Sequence, residues 1–367
     1  MKLGLFMMPL HPASRPLHEV CAEDAEKIIY ADAIGFDEAW VGEHLSATTE
    51  PITAPLIFMA SLMRQTHRIK FGTGVIGLPS HHPAIVAAEV ALFDHMSRGR
   101  LMFGIGPVGL LSDHQLFGNT DATVRAERLM ESIDIILKIW AQEGPPYDIV
   151  GKHWTVQITD SIVPSLGVGY LPRPYQLPHP PIFMSAMSPH SATVRTAAMK
   201  GWGVVSSNFG PDYILATHWQ KYLEGCAASG REPDGRKWRV ARNIIVGESD
   251  QQALDWAMDP IGSSRYYFTY LWEVFRRANL TNVIKPDPAM DDAAVTIEDL
   301  INGIVIHGSA ETVAEKLSVM RDRVGPFGTL LMASMDGSGV NHSREWLTMQ
   351  RLAADVLPTL NLPSYAH

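Results

Sequence analysis

The chain has 367 residues, 46% of them hydrophobic and 19% charged, with a formal net charge of −9. This composition fills a large core and excludes a disordered polymer, and the acidic balance excludes a nucleic-acid surface, which needs a basic face. No apolar run approaches the roughly 20 residues of a membrane span, and two cysteines, Cys21 and Cys226, are too few for a disulfide framework or a thiolate metal cluster.

Residues 2–8 (KLGLFMM) read as a buried strand with no apolar leader ahead of them, which with the cysteine count points to a cytoplasmic protein. Apolar residues at helical spacing run through 19–35, where Gly35 supplies the stop. Residues 36–42 (FDEAWVG) form a second strand, with Glu43 and His44 at its carboxyl end. After a helix over 53–64 comes the organising stretch, 70–110. Here 70–78 is strand, stopped by Pro79, and Pro83 stands at a helix start, where a missing N–H costs nothing. The helix runs over 84–96, and 101–105 is the next strand, followed by Gly106 and Gly109. This is one right-handed βαβ unit. Glycines at the strand ends either pack helix tightly on strand or let a bulky ligand approach the backbone.

A long helix spans 121–142. From 144 to 179 the period breaks into Pro, Gly and scattered aromatics, which predicts a lid or cofactor cover. Strand 180–186 leads into a helix opened by 187–191 and ending at 200. Strand 201–207, helix 212–230 and strand 237–247 follow. A second break, 250–302, is helical and aromatic (RYYFTYLWEVF over 265–275). Ser309 caps a helix over 309–323, and strand 327–334 and helix 345–357 close the chain. Eight strand–helix units predict an α/β fold, a single (β/α)8 TIM barrel over residues 1–367 with insertions after strand 4 and strand 7.

In such a barrel the site lies at the carboxyl ends of the strands. Glu43 and His44 offer a carboxylate beside an imidazole, either a functional pair or one satisfied locally. The Gly72-Thr73-Gly74 and Gly104-Ile105-Gly106 ends leave backbone where side chains would stand. Ser188 and Ser191 flank a helix start, which is either an ordinary cap or an anion site. Fifteen histidines suggest zinc, but no His-x-His follows the first strand. His81 and His82 are adjacent and project differently, so no metal is expected. A GxSxG elbow, a Walker loop and a GxGxxG opening a βαβ unit are absent.

The runs KLGLFMMP, GFDEAWVGEHLS, the 70–110 segment, IFMSAMSPHSATVRTAAMKGWG and HGSAETVAEKL resemble the bacterial luciferase-like flavin monooxygenases over nearly the whole chain. PLHP, EHLS and LPSHHP are most similar to the limonene monooxygenase-like branch. The resemblance implies a barrel binding reduced FMN, whose reaction with O2 gives a C4a-peroxyflavin that oxygenates a small hydrophobic compound such as a terpene or ketone. It implies His44 as the catalytic group. It also implies a flavin site built from Glu43, Thr73, Gly74, Val75, Gly106, Pro107, Ala186, Met187, Ser188, His190 and Ser191, with a non-prolyl cis peptide at Gly74–Val75 and the phosphate beside Ser188–Ser191. Met7, His11 and His82 are expected at the substrate pocket. Luciferases proper carry a reactive Cys and an Arg after strand four; this chain has Gly106 and Pro107 there, so light emission is not expected. Arg195 is the candidate for balancing the phosphate charge. No nicotinamide site is evident, which implies a separate flavin reductase as partner, and the family resemblance implies a homodimer. Two other readings stay open: an oxidoreductase using the deazaflavin F420, and a flavin-binding barrel without catalysis.

Overall fold

The computed structural model describes residues 1–107 and 109–360. Eight parallel strands form its centre: β1 (Lys2–Met7), β2 (Glu38–Val41), β3 (Lys70–Thr73), β4 (Leu101–Gly106), β5 (Ile182–Ala186), β6 (Gly203–Ser206), β7 (Trp238–Arg242) and β8 (Thr329–Ala333). Each pairs with its neighbours in chain order, and β8 returns to β1 with Thr329 opposite Lys2, closing the expected (β/α)8 barrel.

Strand alternation divides the core. Leu3, Leu5 and Met7 join the layer between strands and helices, while Phe6 turns inward with Trp40, Met102, Phe183 and Leu331. At the amino-terminal end a buried ion pair closes the floor. Arg239 donates to Glu38 Oε1 at 2.7 Å and Oε2 at 3.1 Å, Trp40 Nε1 donates to Oε2 at 2.9 Å, and the guanidinium lies 4.3 Å from the Phe183 ring centre. Charges this deep need such full pairing to be tolerated. The barrel therefore opens only at the carboxyl end.

The helices are α1 (Leu17–Ile34), α2 (Pro55–Leu62), α3 (Pro83–Ser97), α4 (Leu111–Leu116), α5 (Ala122–Ala141) and α6 (Ala192–Lys200). They continue as α7 (Asp212–Ser229), α8 (Asp250–Met258), α9 (Ser263–Arg277), α10 (Ile297–Ile304), α11 (Ala310–Val324) and α12 (Val340–Arg351). Their ends follow local chemistry. Gly35 takes φ +105° after α1, a left-handed turn that favours glycine. Asp121 accepts from the Thr123 and Val124 amides, and Ser309 accepts from the Thr312 amide, as its position predicts. Among the described residues no helix is long and apolar enough to cross a membrane.

Two predicted strands are broken. Phe71 and Gly72 face Leu101 and Met102, but Ile76 then faces Ile105, so the β3 side holds one residue more. Thr73 fills the gap with its hydroxyl, which donates to the Gly104 oxygen and accepts from the Gly104 amide. The predicted strand 237–247 also divides. β7 ends at Arg242, and Ile244–Val246 leave the barrel to pair with Ile306–Gly308.

The two insertions go to different places. Residues 144–179 do not cover the mouth, contrary to expectation; they contain a hairpin (Tyr147–Val150 with Thr155–Ile158) fixed to α3 and α5. The Glu131 carboxylate accepts from the amides of Lys152, His153 and Trp154, and Asp94 accepts from Gln176. Residues 250–302 hold α8, α9 and α10, with a capping box at Thr296 and Asp299 starting α10.

Candidate active site

A cavity of about 330 Å³ opens at the carboxyl ends of β1 to β6, with α9 across it. Glu43, His44, Gly74, Val75, Pro107, Ala186, Met187, Ser188 and Ser191, all anticipated from the sequence, line it. The Gly74–Val75 peptide is cis.

At the end of β2, His44 sits between two carboxylates. Its Nε2 is 3.2 Å from Glu50 Oε2 and its Nδ1 is 3.4 Å from Asp113 Oδ2. Asp113, from α4, is itself held by the Ser46 amide and hydroxyl. Burial opposes a charged imidazole, but Glu50, Asp113 and Glu43 outweigh it and raise the His44 pKa above the usual range. The same burial raises the Glu50 pKa. Beside them His81 Nε2 lies 2.6 Å from Glu43 Oε1, a hydrogen bond that raises the His81 pKa. The result is an imidazole enclosed by acids that favour its protonated form, at the edge of an apolar cavity.

The loop from β5 to α6 gathers hydroxyls. Ser191 precedes α6 without capping its first turn, and its Oγ pairs with Thr193 Oγ1 at 2.8 Å. Behind the loop, Trp238 Nε1 donates to Ser206 Oγ and Ser206 Oγ pairs with His218 Nδ1 at 2.9 Å. His218 Nε2 donates to the Ser188 carbonyl at 3.0 Å. Burial pushes His218 down to about 4, so it stays neutral and can hold both bonds. Ser207 Oγ, on the cavity wall, is buried with no hydrogen-bond partner among the described residues. No Lys or Arg lines the cavity among the described residues.

Several expected residues stand elsewhere, each for a local reason. Met7 faces the helices because side chains alternate along β1; Met8 is the one on the cavity. His11 is bound by Asp24 and Asp336 in a buried network with Arg15, Glu23 and Lys27. Its ring, Glu23 and Asp336 are the only grouping of metal-ligand type among the described residues, and Arg15 and Lys27 already supply its cations. His82 caps α3 by accepting from the Ala84 amide. His190 is exposed, its amide donating to Thr217 Oγ1. Arg195 is exposed and outside the lining. Thr73 is spent on Gly104, as described.

The glycines divide too. A Cβ on Gly72 would meet the Trp40 ring at 2.3 Å, and one on Gly104 the Thr73 oxygen at 1.9 Å, so these two serve packing. Gly106 gives room to Ser185 Oγ and Val75 without itself lining the cavity. Gly74 after β3 and Gly109 after β4 are the strand-end glycines that present bare backbone to it. Sequence reasoning passed over Glu50, Asp113, Thr193 and the α9 aromatics, which no short-range motif marks.

The family model described as luciferase-like monooxygenase matches residues 1–325. The chain is 29% identical over 362 residues to limonene 1,2-monooxygenase of Rhodococcus erythropolis, covering 98% of this chain and 86% of that protein. It is 30% identical over 339 residues to 4-hydroxyprotoasukamycin monooxygenase of Streptomyces nodosus subsp. asukaensis, covering 91% and 85%. Among solved structures, the oxygenating constituent of 3,6-diketocamphane monooxygenase from Pseudomonas putida, a type II Baeyer–Villiger monooxygenase in complex with FMN, superposes with a TM-score of 0.87 at 25% identity, covering 99% of both chains.

Proposed function

Because the chain belongs to the luciferase-like monooxygenase family, we propose that it oxygenates a small hydrophobic compound with O2 and reduced FMN, the flavin arriving from a separate reductase. The observation that carries this reading is the division of the cavity wall. One part is hydroxyl-rich and carries a hydroxyl with no partner among the described residues, one part is the bare Gly74–Val75 backbone beside His44 and its acids, and the part under α9 is mostly apolar. Ser188, Ser191, Thr193 and Ser207 would hold the phosphate. With no cation beside them, hydroxyls and the start of α6 would carry the anion. Gly74, Val75 and Pro107 would take the ring system. When bound, the reduced flavin supplies the electrons and activates O2.

His44 is the group we assign to proton handling. Glu50 and Asp113 favour a proton on its ring, which it would donate to an oxygen that becomes basic during transfer. Leu271, Val274 and Phe275 of α9 exclude water, which would otherwise divert the reaction to hydrogen peroxide. A homodimer is supported by the apolar outer face of α2 and α3, where Ile57 is 75% exposed and Ile85, Leu92 and Met96 are more than half exposed.

The test is an anaerobic titration with photoreduced FMN, then ¹⁸O-labelled O2 with candidate terpenes and cyclic ketones. Incorporation of one labelled oxygen into an organic product supports the reading. Tight binding of F420 with hydride transfer and no need for O2 overturns it, as does catalytic NADH oxidation by the chain alone. Flavin binding without product from any candidate would favour a barrel that has lost catalysis.

A further inference from the structure

Tyr267 of α9 stands on the cavity wall, and a relay of two asparagines behind it decides which way its hydroxyl works. Asn243 follows β7, and its Nδ2 donates to the main-chain oxygen of Asn208 at 3.3 Å. This bond fixes the Asn243 amide, so that Oδ1 is the atom accepting from Asn208 Nδ2, at 3.0 Å. Asn208 must then present its NH2 group on that side, and Nδ2 also donates to the Tyr267 hydroxyl oxygen at 2.6 Å. Turning the Asn208 amide over would set two carbonyl oxygens against each other. The Tyr267 oxygen is therefore an acceptor in the relay, and its own hydrogen has no partner among the described residues.

Asn208 and Asn243 are 2% exposed and Tyr267 is 4% exposed, so the relay is shielded from bulk water on its outer side. Burial raises the phenol pKa, with the Glu50 charge adding to it, and the group stays a neutral donor. Tyr270, the other tyrosine on this wall, has its hydroxyl engaged with Thr49. Beyond Asn208, Tyr270 and the Glu50 carboxylate, the wall near Tyr267 is apolar: Phe209, Leu271, Val274 and Phe275. One oriented O–H with no protein acceptor among the described residues takes its acceptor from the cavity, and a ligand that displaces water there without offering one is penalised.

We propose that Tyr267 is a substrate-oxygen subsite, donating to the oxygen of a cyclic ketone and selecting it over a hydrocarbon of the same shape. This rests on the monooxygenase reading for the purpose of the cavity and goes beyond it in naming the substrate class. The donated bond also draws electron density toward the carbonyl oxygen, leaving the carbonyl carbon more open to attack.

The probes are 2-adamantanone and 2-methyleneadamantane, equal in shape and differing in C=O against C=CH2. Their binding to the full chain is measured by calorimetry, without and with oxidised FMN, and the carbonyl stretch of bound ¹³C-labelled ketone by difference infrared spectroscopy. The wild-type chain is expected to prefer the ketone about fivefold and to shift its stretch to lower frequency. Tyr267→Phe is expected to abolish both effects. Asn243→Ala frees the Asn208 amide to turn and is expected to reduce both, with the fold retained. Equal binding of the two probes to the wild-type chain overturns the proposal. So does a ketone preference or stretch shift that survives Tyr267→Phe, or failure of the ketone to bind in either state. If the preference and its loss in Tyr267→Phe appear while photoreduced FMN does not bind in the anaerobic titration, the ketone subsite stands and the flavin reading falls.

Discussion

Two excursions leave the barrel wall, and they do different things. Residues 144–179 pack as a hairpin and loop on the outside, tied to α5 by Glu131 and to α3 by Asp94, and none of them reaches the cavity. Residues 250–302 lay α9 across the mouth, where Tyr267, Tyr270, Leu271, Val274 and Phe275 form one apolar stripe, and Tyr266 ties that helix to the His11 carbonyl at 3.2 Å. Both segments are long and interrupt the barrel repeat, so neither property marks a cover. What separates them is periodicity. Steps of three and four residues turn one helix face toward the opening. The hairpin alternates at two and buries Tyr147 and Val156 into the main core.

If that division is right, variants at the mouth move turnover and variants on the outer hairpin move stability. The largest effect is expected from His44→Ala, which should lower oxygenation by about 10²- to 10⁴-fold while FMN affinity changes by less than about threefold. Stopped-flow turnover and flavin titration measure the two quantities. Parallel losses in both would make His44 a binding residue and blur the assignment of the mouth to chemistry.

The anchors of the two insertions should also fail at opposite ends of the pH range. His11, whose carbonyl holds α9, is surrounded by Asp24, Asp336, Glu23, Arg15 and Lys27. Burial lowers its pKa, but the hydrogen bonds to Asp24 and Asp336 prevail and hold it at about 9, against 6.5 unfolded. Its contribution is complete below pH 6.5 and is lost as pH rises toward 9, a span worth about 3 kcal/mol. Urea unfolding at a series of pH values measures this, and His11→Gln should flatten the alkaline decline. On the hairpin side, burial raises the Glu131 pKa, but the three amides outweigh it and hold it below the usual carboxylate value. That contribution is present at neutral pH and is lost as pH falls through the folded value. Glu131→Ala should cost about 1–2 kcal/mol at pH 7, remove the acid-side loss, and leave substrate KM unchanged.

The barrel was legible because strands covered on both faces read as short apolar runs separated by well-signed helices. Glu43 and His44 were legible because adjacency at a strand end is a local fact, as was the Ser188–Ser191 helix start. Glu50, Asp113, Asn208 and Tyr267 were not, because barrel closure brings them together from distant parts of the chain. The glycines misled in part: Gly72 and Gly104 answer to Trp40 and Thr73, contacts invisible along the chain. His11 looked like a pocket residue by its position after β1, yet acids from α1 and the β8–α12 loop bind it first.

The smallest effect gives the closest test of the division. Val274 is half-buried on the cavity side of α9, and Val150 is 69% exposed on the outer hairpin. Shortening valine to alanine removes the same atoms at both positions, so intrinsic propensity aside, the two variants differ only in what those atoms touch. At Val274 the lost contact is with whatever fills the cavity, worth about 1 kcal/mol, and substrate KM should rise about fivefold with kcat little changed. At Val150 the side chain faces water, so neither KM nor melting temperature should move. A raised KM in both variants would mean that the hairpin senses the substrate after all. An unchanged KM in Val274→Ala would mean that α9 moves aside when substrate binds, and the apolar stripe would then be a closed state of the mouth instead of its wall.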